Sequence, residues 1–276
     1  MMRGQIRAYY DHLGEQEWLR LIRPDDGALE FLITCRMLAR YLPPQARVLD
    51  IGAGPCRYSI RLAQHGYKVV LADLSPELVS IAREHIEQAG VADRVEELVV
   101  ADACDLSRWG DNAFDSVLSL GPFYHLPDPV DRDRAAREMV RVLRPGGYAF
   151  VALMPRYAFL RRTLAIPDER RHLADSAFVD RVLLEGVFLN DVPGRFTGGY
   201  GIHPREIAPL FERFGLRACT LLATESIVPD LQGILAELAD ADPATYEATI
   251  EMLLRIADDP VIHGMANHLL YVGQKA

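Results

Sequence analysis

The sequence predicts an α/β fold, with a doubly wound, mostly parallel sheet and helices on both faces. Three observations predict it. Short apolar runs alternate with helical patterns, several of these runs end in an aspartate, and the first run leads into a glycine-x-glycine turn. Strands that alternate with helices fold through right-handed crossovers into a parallel sheet, so few other topologies remain. With 276 residues, half of them apolar, the chain suits one large domain with additions.

Seven strands are expected, each a short run rich in apolar residues. They cover residues 48–51, 68–73, 95–102, 114–120, 148–154, 216–225 and 268–274. Apolar residues at helical spacing predict helices over residues 28–38, 55–65, 76–89, 130–143, 204–214 and 229–259. The first three strands end in Asp50, Asp73 and Asp102. Because the carboxyl ends of parallel strands meet at one edge of a sheet, these acids are expected to surround one ligand.

The turn Gly52-Ala53-Gly54 after the first strand is the most informative motif. Glycine has no Cβ, so such a turn lets backbone N–H groups approach a ligand closely. A dinucleotide fingerprint requires a third glycine, but Arg57 stands at that position. Pro55 removes a useful backbone donor, and Asp50 would place a negative charge beside the phosphates. A phosphate-bearing ligand is therefore disfavoured.

Over residues 47–154 the chain resembles a class I S-adenosylmethionine-dependent methyltransferase. The loop Gly121–Leu126 reads Gly-Pro-Phe-Tyr-His-Leu and is similar to the G-P-x-Y-H-L loop of bacterial small-molecule methyltransferases. The resemblance implies a Rossmann-like, seven-stranded sheet with an antiparallel last strand, and S-adenosyl-L-methionine as the cofactor. Cys56 replaces the family's third glycine, which implies a slightly looser backbone approach at that point.

The resemblance also implies where the cofactor binds. Asp73 would hold the ribose hydroxyls, Asp102 would face the adenine amine, and the glycine turn would lie under the methionine part. A carboxylate accepts two hydroxyl hydrogen bonds at once, and such charge-assisted bonds are the stronger ones. The residues expected at the cofactor are Tyr9, Tyr10, Asp50, Gly52, Ala53, Gly54, Arg57, Asp73, Leu74, Asp102, Ala103 and Leu120.

Two of these expectations have an alternative. Tyr9 or Tyr10 could cover the methionine end of the cofactor, or could instead anchor the N-terminal helix to the body of the protein. Arg57 could reach the cofactor carboxylate, or could be a surface residue of the helix after the glycine turn.

The expected catalytic residues are His125, Tyr124 and His203. The loop after the fourth strand runs from the cofactor into the acceptor site, and a histidine has a pKa suited to proton transfer near neutrality. Alternatively, His125 fixes the loop and Tyr124 packs under a lid. Methyl transfer depends mainly on holding the acceptor and the methyl group in line, so a general base is optional.

Four segments are expected. Residues 1–46 form an N-terminal helical cap, 47–154 the cofactor-binding core, 155–202 a helical lid, and 203–276 the rest of the sheet with a helical insertion at 227–265. A long segment after the fifth strand starts at the ligand-binding edge and is unlikely to be structureless, which predicts a lid over the acceptor. Its arginines at 156, 161, 162, 170 and 171 suggest a solvated helix face or, less commonly, an anion channel.

The resemblance implies a small-molecule acceptor methylated on oxygen or nitrogen, and an enclosed site under a helical lid favours such a compact acceptor. The net charge of −9 disfavours nucleic acid, which needs a basic face. The four cysteines form no C-x-x-C pair, so no metal site is expected, and a reducing, cytoplasmic location fits best. No apolar run is long enough to span a membrane. A methyltransferase of RNA or protein, and a non-catalytic cofactor-binding partner, remain alternatives, as do a monomer and a homodimer.

Overall fold

The structure is a computed structural model that describes residues 2–21, 26–192, 196, 198–229 and 231–276. Nine strands in this part of the chain form one sheet. The strands are β1 (Arg47–Ile51), β2 (Lys68–Asp73), β3 (Val95–Val100), β4 (Phe114–Ser119), β5 (Leu143–Pro155), β6 (Val187–Leu189), β7 (Gly198–Ile202), β8 (Leu216–Ala223) and β9 (Leu269–Lys275).

Helices precede the first strand and connect most of the others. They are α1 (Met2–Leu13), α2 (Glu15–Arg20), α3 (Asp26–Tyr41), α4 (Arg57–Gln64), α5 (Pro76–Gln88), α6 (Pro129–Val142), α7 (Arg156–Ala165), α8 (Ser176–Asp180), α9 (Pro204–Glu212), α10 (Gln232–Ala241), α11 (Pro243–Ile256) and α12 (Pro260–His263). Short 3-10 and π turns cover Ala92–Arg94, Pro122–His125, Pro167–Ala174 and Arg181–Glu185.

The sheet has the predicted doubly wound topology. Its strands lie in the order β3-β2-β1-β4-β5, all parallel, and β9 pairs antiparallel with both β5 and β8. All seven expected strands are present, and the last is antiparallel as expected. The predicted fold class is therefore confirmed.

The strand count differs from the prediction, because two further strands lie in the 155–202 segment, which was expected to be a helical lid. β6 and β7 pair antiparallel, and β7 continues the sheet beside the end of β5. The glycines of β7 explain the difference. A Cβ on Gly199 would lie 2.7 Å from the carbonyl oxygen of Tyr124, and one on Gly201 would lie 2.7 Å from Cα of Arg156. Glycines that read as a loop in the sequence here permit close packing of a strand.

Helix α4 begins at Arg57 rather than at Pro55. The residue before it, Cys56, has a left-handed backbone with φ of 64° and is fully buried. A non-glycine residue rarely adopts this conformation, and it cannot belong to a right-handed helix. The helix therefore starts only after the glycine turn has reversed the chain.

The core has one apolar layer on each face of the sheet. Leu49 points into a cluster that includes residues of α6 and α9, and its neighbour Val48 points into a cluster with residues of α3, α4 and α5. Both are fully buried, as expected for a parallel strand covered on two faces. A third, aromatic cluster around Phe159 and Phe188 lies in the 155–202 segment. This arrangement leaves the carboxyl ends of the strands as the place for a site.

Candidate active site

A cavity lies at the carboxyl ends of β1, β2 and β4, and α1, α2 and the 3-10 turn Pro122–His125 cover it. The structure brings most of the sequence-predicted site residues to this cavity. Those lining it are Tyr10, Asp50, Gly52, Ala53, Gly54, Arg57, Asp73, Leu74, Asp102, Ala103, Leu120, Tyr124 and His125.

The glycine turn forms the floor of the cavity. Its N–H groups at Gly52 and Ala53 both donate to the carbonyl of Ala72, at 2.7 and 3.1 Å, which ties the turn to β2. Gly52 has φ of +72°, and a Cβ there would lie 2.7 Å from Cδ of Pro122. Glycine is thus required at this position both by the backbone conformation and by the contact with the loop after β4.

Asp73 ends β2 and braces the glycine turn. One of its carboxylate oxygens accepts a hydrogen bond from Gly54 N–H and the other from Ser75 N–H, both at 2.8 Å. Burial raises the pKa of Asp73 to about 6, although these N–H groups and that of Leu74 act in the opposite direction. The carboxylate is therefore held in a fixed orientation while it lines the cavity.

Asp50 lies under the turn and is only 2% exposed. It accepts a hydrogen bond from the Ser59 hydroxyl at 2.7 Å, and no ion pair to it is recorded among the described residues. Burial raises its pKa to about 7, the Ser59 hydrogen bond opposes this rise, and the charge of Asp73 adds to it. Two buried acids with raised pKa values make this end of the cavity favourable to a positively charged ligand.

Asp102 stands two residues beyond the end of β3 and is paired with α1. Its carboxylate lies 2.8 Å from an Arg3 guanidinium nitrogen and accepts the Cys104 N–H at 2.9 Å. Arg3 also contacts Asp131 at 2.8 Å. Sequence reasoning missed Arg3, because nothing in the spacing of residues 3 and 102 relates them.

Tyr10, Tyr124 and His125 lie close together in the lining of the cavity. The Tyr10 hydroxyl lies 2.7 Å from Nε2 of His125, and the Tyr124 hydroxyl lies 3.4 Å from the carbonyl oxygen of Leu120. Burial lowers the pKa of His125 to about 3, against the effect of the Gly198 backbone, which favours the charged ring. His125 is therefore a neutral imidazole near pH 7, able to accept a hydrogen bond.

Two predicted residues are not among those that line the cavity. Tyr9 packs edge-on against Phe196 and against the ring of Tyr10. His203 stands immediately before α9, and its ring packs edge-on against Tyr157. Of the two tyrosines proposed to cover the site, Tyr10 reaches the cavity.

Arg57 lines the cavity but is directed toward α2. Its Nε donates to the carbonyl oxygen of Trp18 at 3.0 Å, and its guanidinium carbon lies 3.5 Å from the centre of the Trp18 ring. His85 stacks on the same indole, with ring centres 3.9 Å apart. Arg57 thus fastens α2 over the glycine turn.

A buried chain of charged groups beside the cavity was missed by sequence reasoning. Arg20 contacts Glu17 at 2.8 Å and Glu30 at 2.5 Å, and His268 lies near both Glu30 and Glu225. Burial opposes the charged form of His268, but the two carboxylates outweigh it and raise its pKa. These residues are far apart in the sequence, so no local pattern could have indicated them.

The arginines of the 155–202 segment serve partly as internal contacts. Arg156 is buried and donates to the carbonyl oxygen of Leu183 at 3.1 Å and to Glu206 at 3.2 Å. Arg162 contacts the fully buried Glu169 at 2.8 Å. The expectation of a uniformly solvated helix face is wrong for Arg156, because its guanidinium satisfies carbonyl groups of the segment.

The centre of the chain is similar to known sequences. A family model described as a methyltransferase domain matches residues 49–151. The ubiquinone biosynthesis O-methyltransferase of Xanthomonas axonopodis pv. citri (strain 306) is 34% identical over 148 residues, which are 54% of this chain and 56% of that protein. The chain thus spans about half the length of this curated relative.

Solved structures share the fold over a larger part of the chain. A SAM-dependent methyltransferase from Methanosarcina mazei has a TM-score of 0.59 at 20% identity, covering 87% of this chain and 96% of that one. The 1,6-didemethyltoxoflavin-N1-methyltransferase of Burkholderia thailandensis, crystallised with 1,6-didemethyltoxoflavin and S-adenosylhomocysteine, has a TM-score of 0.58 at 17% identity. That match covers 99% of this chain and 87% of the Burkholderia chain. At these identities the similarity establishes the architecture.

Within the part of the chain that the structure describes, no helix combines the length and the apolar character needed to cross a bilayer.

Proposed function

Because a methyltransferase-domain family model matches residues 49–151, we propose that this chain transfers a methyl group from S-adenosylmethionine to a small organic acceptor. The acceptor atom is an oxygen or a nitrogen. The observation that carries the proposal is the pairing of Asp73 with the glycine turn under a covered cavity.

The residues of the cavity fit this cofactor in charge and in shape. The cofactor carries a sulfonium and an ammonium group and no phosphate, which suits Asp50 and Asp73, two buried acids beside a turn whose Pro55 offers no N–H. Gly52 keeps the floor free of a side chain at its contact with the loop after β4. Asp73 would accept the ribose hydroxyls, and Asp102 with Ala103 would face the adenine.

The protein's part in the reaction is to orient the acceptor and to exclude water. The cofactor supplies the reactivity: the acceptor's lone pair attacks the methyl carbon, and the sulfur leaves as a neutral thioether. Well-oriented reactants gain effective molarities of about 10⁵–10⁸ M, so positioning alone accounts for much of the rate. Tyr10 and Tyr124 would orient the acceptor, and the 155–202 segment would enclose it.

His125 is proposed to accept a hydrogen bond from the acceptor as it loses its proton. Its lowered pKa keeps the ring neutral throughout the neutral range, so one ring nitrogen can accept a hydrogen bond without prior deprotonation. The same low pKa makes full proton abstraction costly. His125 therefore serves better as a hydrogen-bond acceptor, directly or through Tyr10, than as a strong base. His203 is kept as a secondary candidate only, since it lies outside the cavity lining.

Mass spectrometry with a cofactor carrying a deuterated methyl group tests the proposal. The protein is incubated with fractionated metabolite extracts, and a mass increase equal to one labelled methyl group identifies the acceptor. Purified RNA and a protein lysate serve as parallel substrates. Label in either of these, but not in metabolites, would favour the alternative of a macromolecular substrate. Tight S-adenosylhomocysteine binding without label in any pool would favour a non-catalytic partner protein.

A further inference from the structure

Three metal-ligating side chains converge beside the cavity. Nδ1 of His268 lies 2.7 Å from Oε1 of Glu225 and 3.9 Å from Oε2 of Glu30. One ligand atom from each residue lies within 4.8 Å of the other two. Glu30 belongs to α3, while Glu225 and His268 flank the insertion at 227–265. The fold of the sheet edge brings them together.

Glu225 is held so that one of its oxygens faces the imidazole of His268. Its Oε2 accepts the backbone N–H groups of Asn267 and His268, at 3.1 and 2.9 Å, while Oε1 points toward the imidazole. Hydrogen bonds of this kind orient a carboxylate in metal sites. Arg20 orients Glu30 by contacting its Oε2 at 2.5 Å and its Oε1 at 3.4 Å, so a metal ion would share Oε2 with the guanidinium. Both carboxylates are buried, Glu225 being only 2% exposed.

The net charge around these residues is negative, which favours binding of a divalent cation. Glu17, Glu30 and Glu225 carry three negative charges, and Arg20 supplies one positive charge. With a neutral imidazole, two negative charges remain uncompensated in largely buried surroundings, which is costly. A divalent ion at the convergence point neutralises them, whereas a proton on His268 neutralises only one.

We infer that Glu30, Glu225 and His268 bind a divalent transition-metal ion. Two carboxylate oxygens and an imidazole nitrogen suit Mn²⁺ or Zn²⁺. Three protein ligands leave at least one coordination position open, and one of the three, Glu30, lines the cavity. A role for this ion in the reaction rests on the proposed function. An acceptor hydroxyl bound at the open position would have a lowered pKa and would lose its proton more readily. This ion was not expected from the sequence.

Calorimetric titration of the chelator-treated full chain with Mn²⁺ and, separately, with Zn²⁺ tests the site. One ion per chain is expected. Glu225→Gln and Glu30→Gln should each weaken binding by at least about tenfold, in line with the loss of a ligand or its support. His65→Gln is the matched control, because this exposed histidine contacts only the carbonyl oxygen of Arg61 among the recorded hydrogen bonds. It should leave the affinity unchanged.

Absence of binding, or equal binding by the wild type and both Glu variants, would overturn the inference. A protonated His268 would then be the group that pairs with Glu30 and Glu225. Circular dichroism and the unfolding temperature of the same samples show whether each variant is folded. A loss of metal affinity in a folded variant is then specific. If one Glu variant fails this check, the other decides. Ion binding is measured without turnover, so a negative result would not bear on the methyl-transfer proposal. In the same way, absence of methyl transfer would not bear on the metal site.

Discussion

The hydroxyl of Tyr10 lies 2.7 Å from Nε2 of His125, although 115 positions separate the two residues. This contact joins α1, which covers the cavity, to the loop after β4. Their rings also meet edge-on, with centres 5.3 Å apart. Since the imidazole is neutral, the tyrosine hydroxyl can donate to it. The pair therefore fixes the position of both groups at the proposed acceptor end.

His125→Gln and Tyr10→Phe should each slow methyl transfer by about 10- to 100-fold, toward the low end of what a positioned proton acceptor contributes. Tyr10→Phe removes the hydroxyl and His125→Gln removes the imidazole, and both leave the glycine turn and Asp73 in place. Affinity for S-adenosylhomocysteine should therefore change by less than about twofold. Single-turnover rates with the acceptor found by label transfer, together with calorimetry, measure the two quantities separately.

His65→Gln is the control for this prediction, because it replaces an exposed histidine outside the cavity lining. Its rate should equal that of the wild type. If His125→Gln reduced cofactor affinity and rate to the same extent, His125 would be a structural residue of the loop.

Asp73→Ala should weaken cofactor binding by about 1.5–3 kcal/mol, the range for hydrogen bonds to a charged group. The substitution removes the carboxylate that would accept the ribose hydroxyls and that accepts the N–H of Gly54. Calorimetry with S-adenosylhomocysteine measures the loss. Asp93→Ala, at a residue whose side chain is 76% exposed, is the control and should bind normally. An unchanged affinity in Asp73→Ala would remove Asp73 from the site.

Cofactor affinity should fall as the pH decreases from 8 to 5. Burial raises the pKa of Asp73 to about 6, so below that value the free protein holds a protonated acid that must ionise before it can accept two hydroxyls. At pH 5 this costs about one pKa unit, or roughly tenfold in affinity. Titrations with S-adenosylhomocysteine at several pH values measure it. Asp73→Asn should flatten the profile, and an equally steep profile in that variant would assign the effect to another group.

The parts of the site that lie in continuous motifs could be read from the sequence. Gly52 comes immediately after β1, and Asp73 is the last residue of β2. Because parallel strands end at one edge of the sheet, the ends of these strands determine where both residues lie. Arg3, Arg20 and His268 could not be read in this way. They lie in or beside the cavity, on segments with no fixed spacing relative to the predicted site strands, so only the packing of α1, α2 and the start of β9 reveals them.

Two elements of the fold, β7 and the start of α4, differ from the predicted ones. The glycines of β7 have no preference for a strand, and the strand forms because Gly199 and Gly201 fit against the backbone of Tyr124 and Arg156. At Cys56, a left-handed backbone is imposed on a residue that disfavours it. Both are cases in which tertiary packing outweighs local propensity.

Asp50→Asn should stabilise the protein in the absence of ligand at pH 8. Burial raises the folded-state pKa of Asp50 to about 7, whereas an unfolded chain has the ordinary value of about 4. Between these values the unfolded state releases its proton while the folded state retains it. The contribution of Asp50 to stability is therefore complete below about pH 4 and is lost as the pH rises through about 7.

At pH 8 the buried charge remains in the folded wild type, and the asparagine removes it while its side-chain oxygen still accepts the Ser59 hydroxyl. The free energy of unfolding, measured by urea denaturation, should rise by about 1–3 kcal/mol at pH 8. At pH 4 the variant and the wild type should differ much less. Equal stability at both pH values would show that Asp50 is already compensated in the folded chain, and the cavity would then lack the negative charge expected to attract a cationic cofactor.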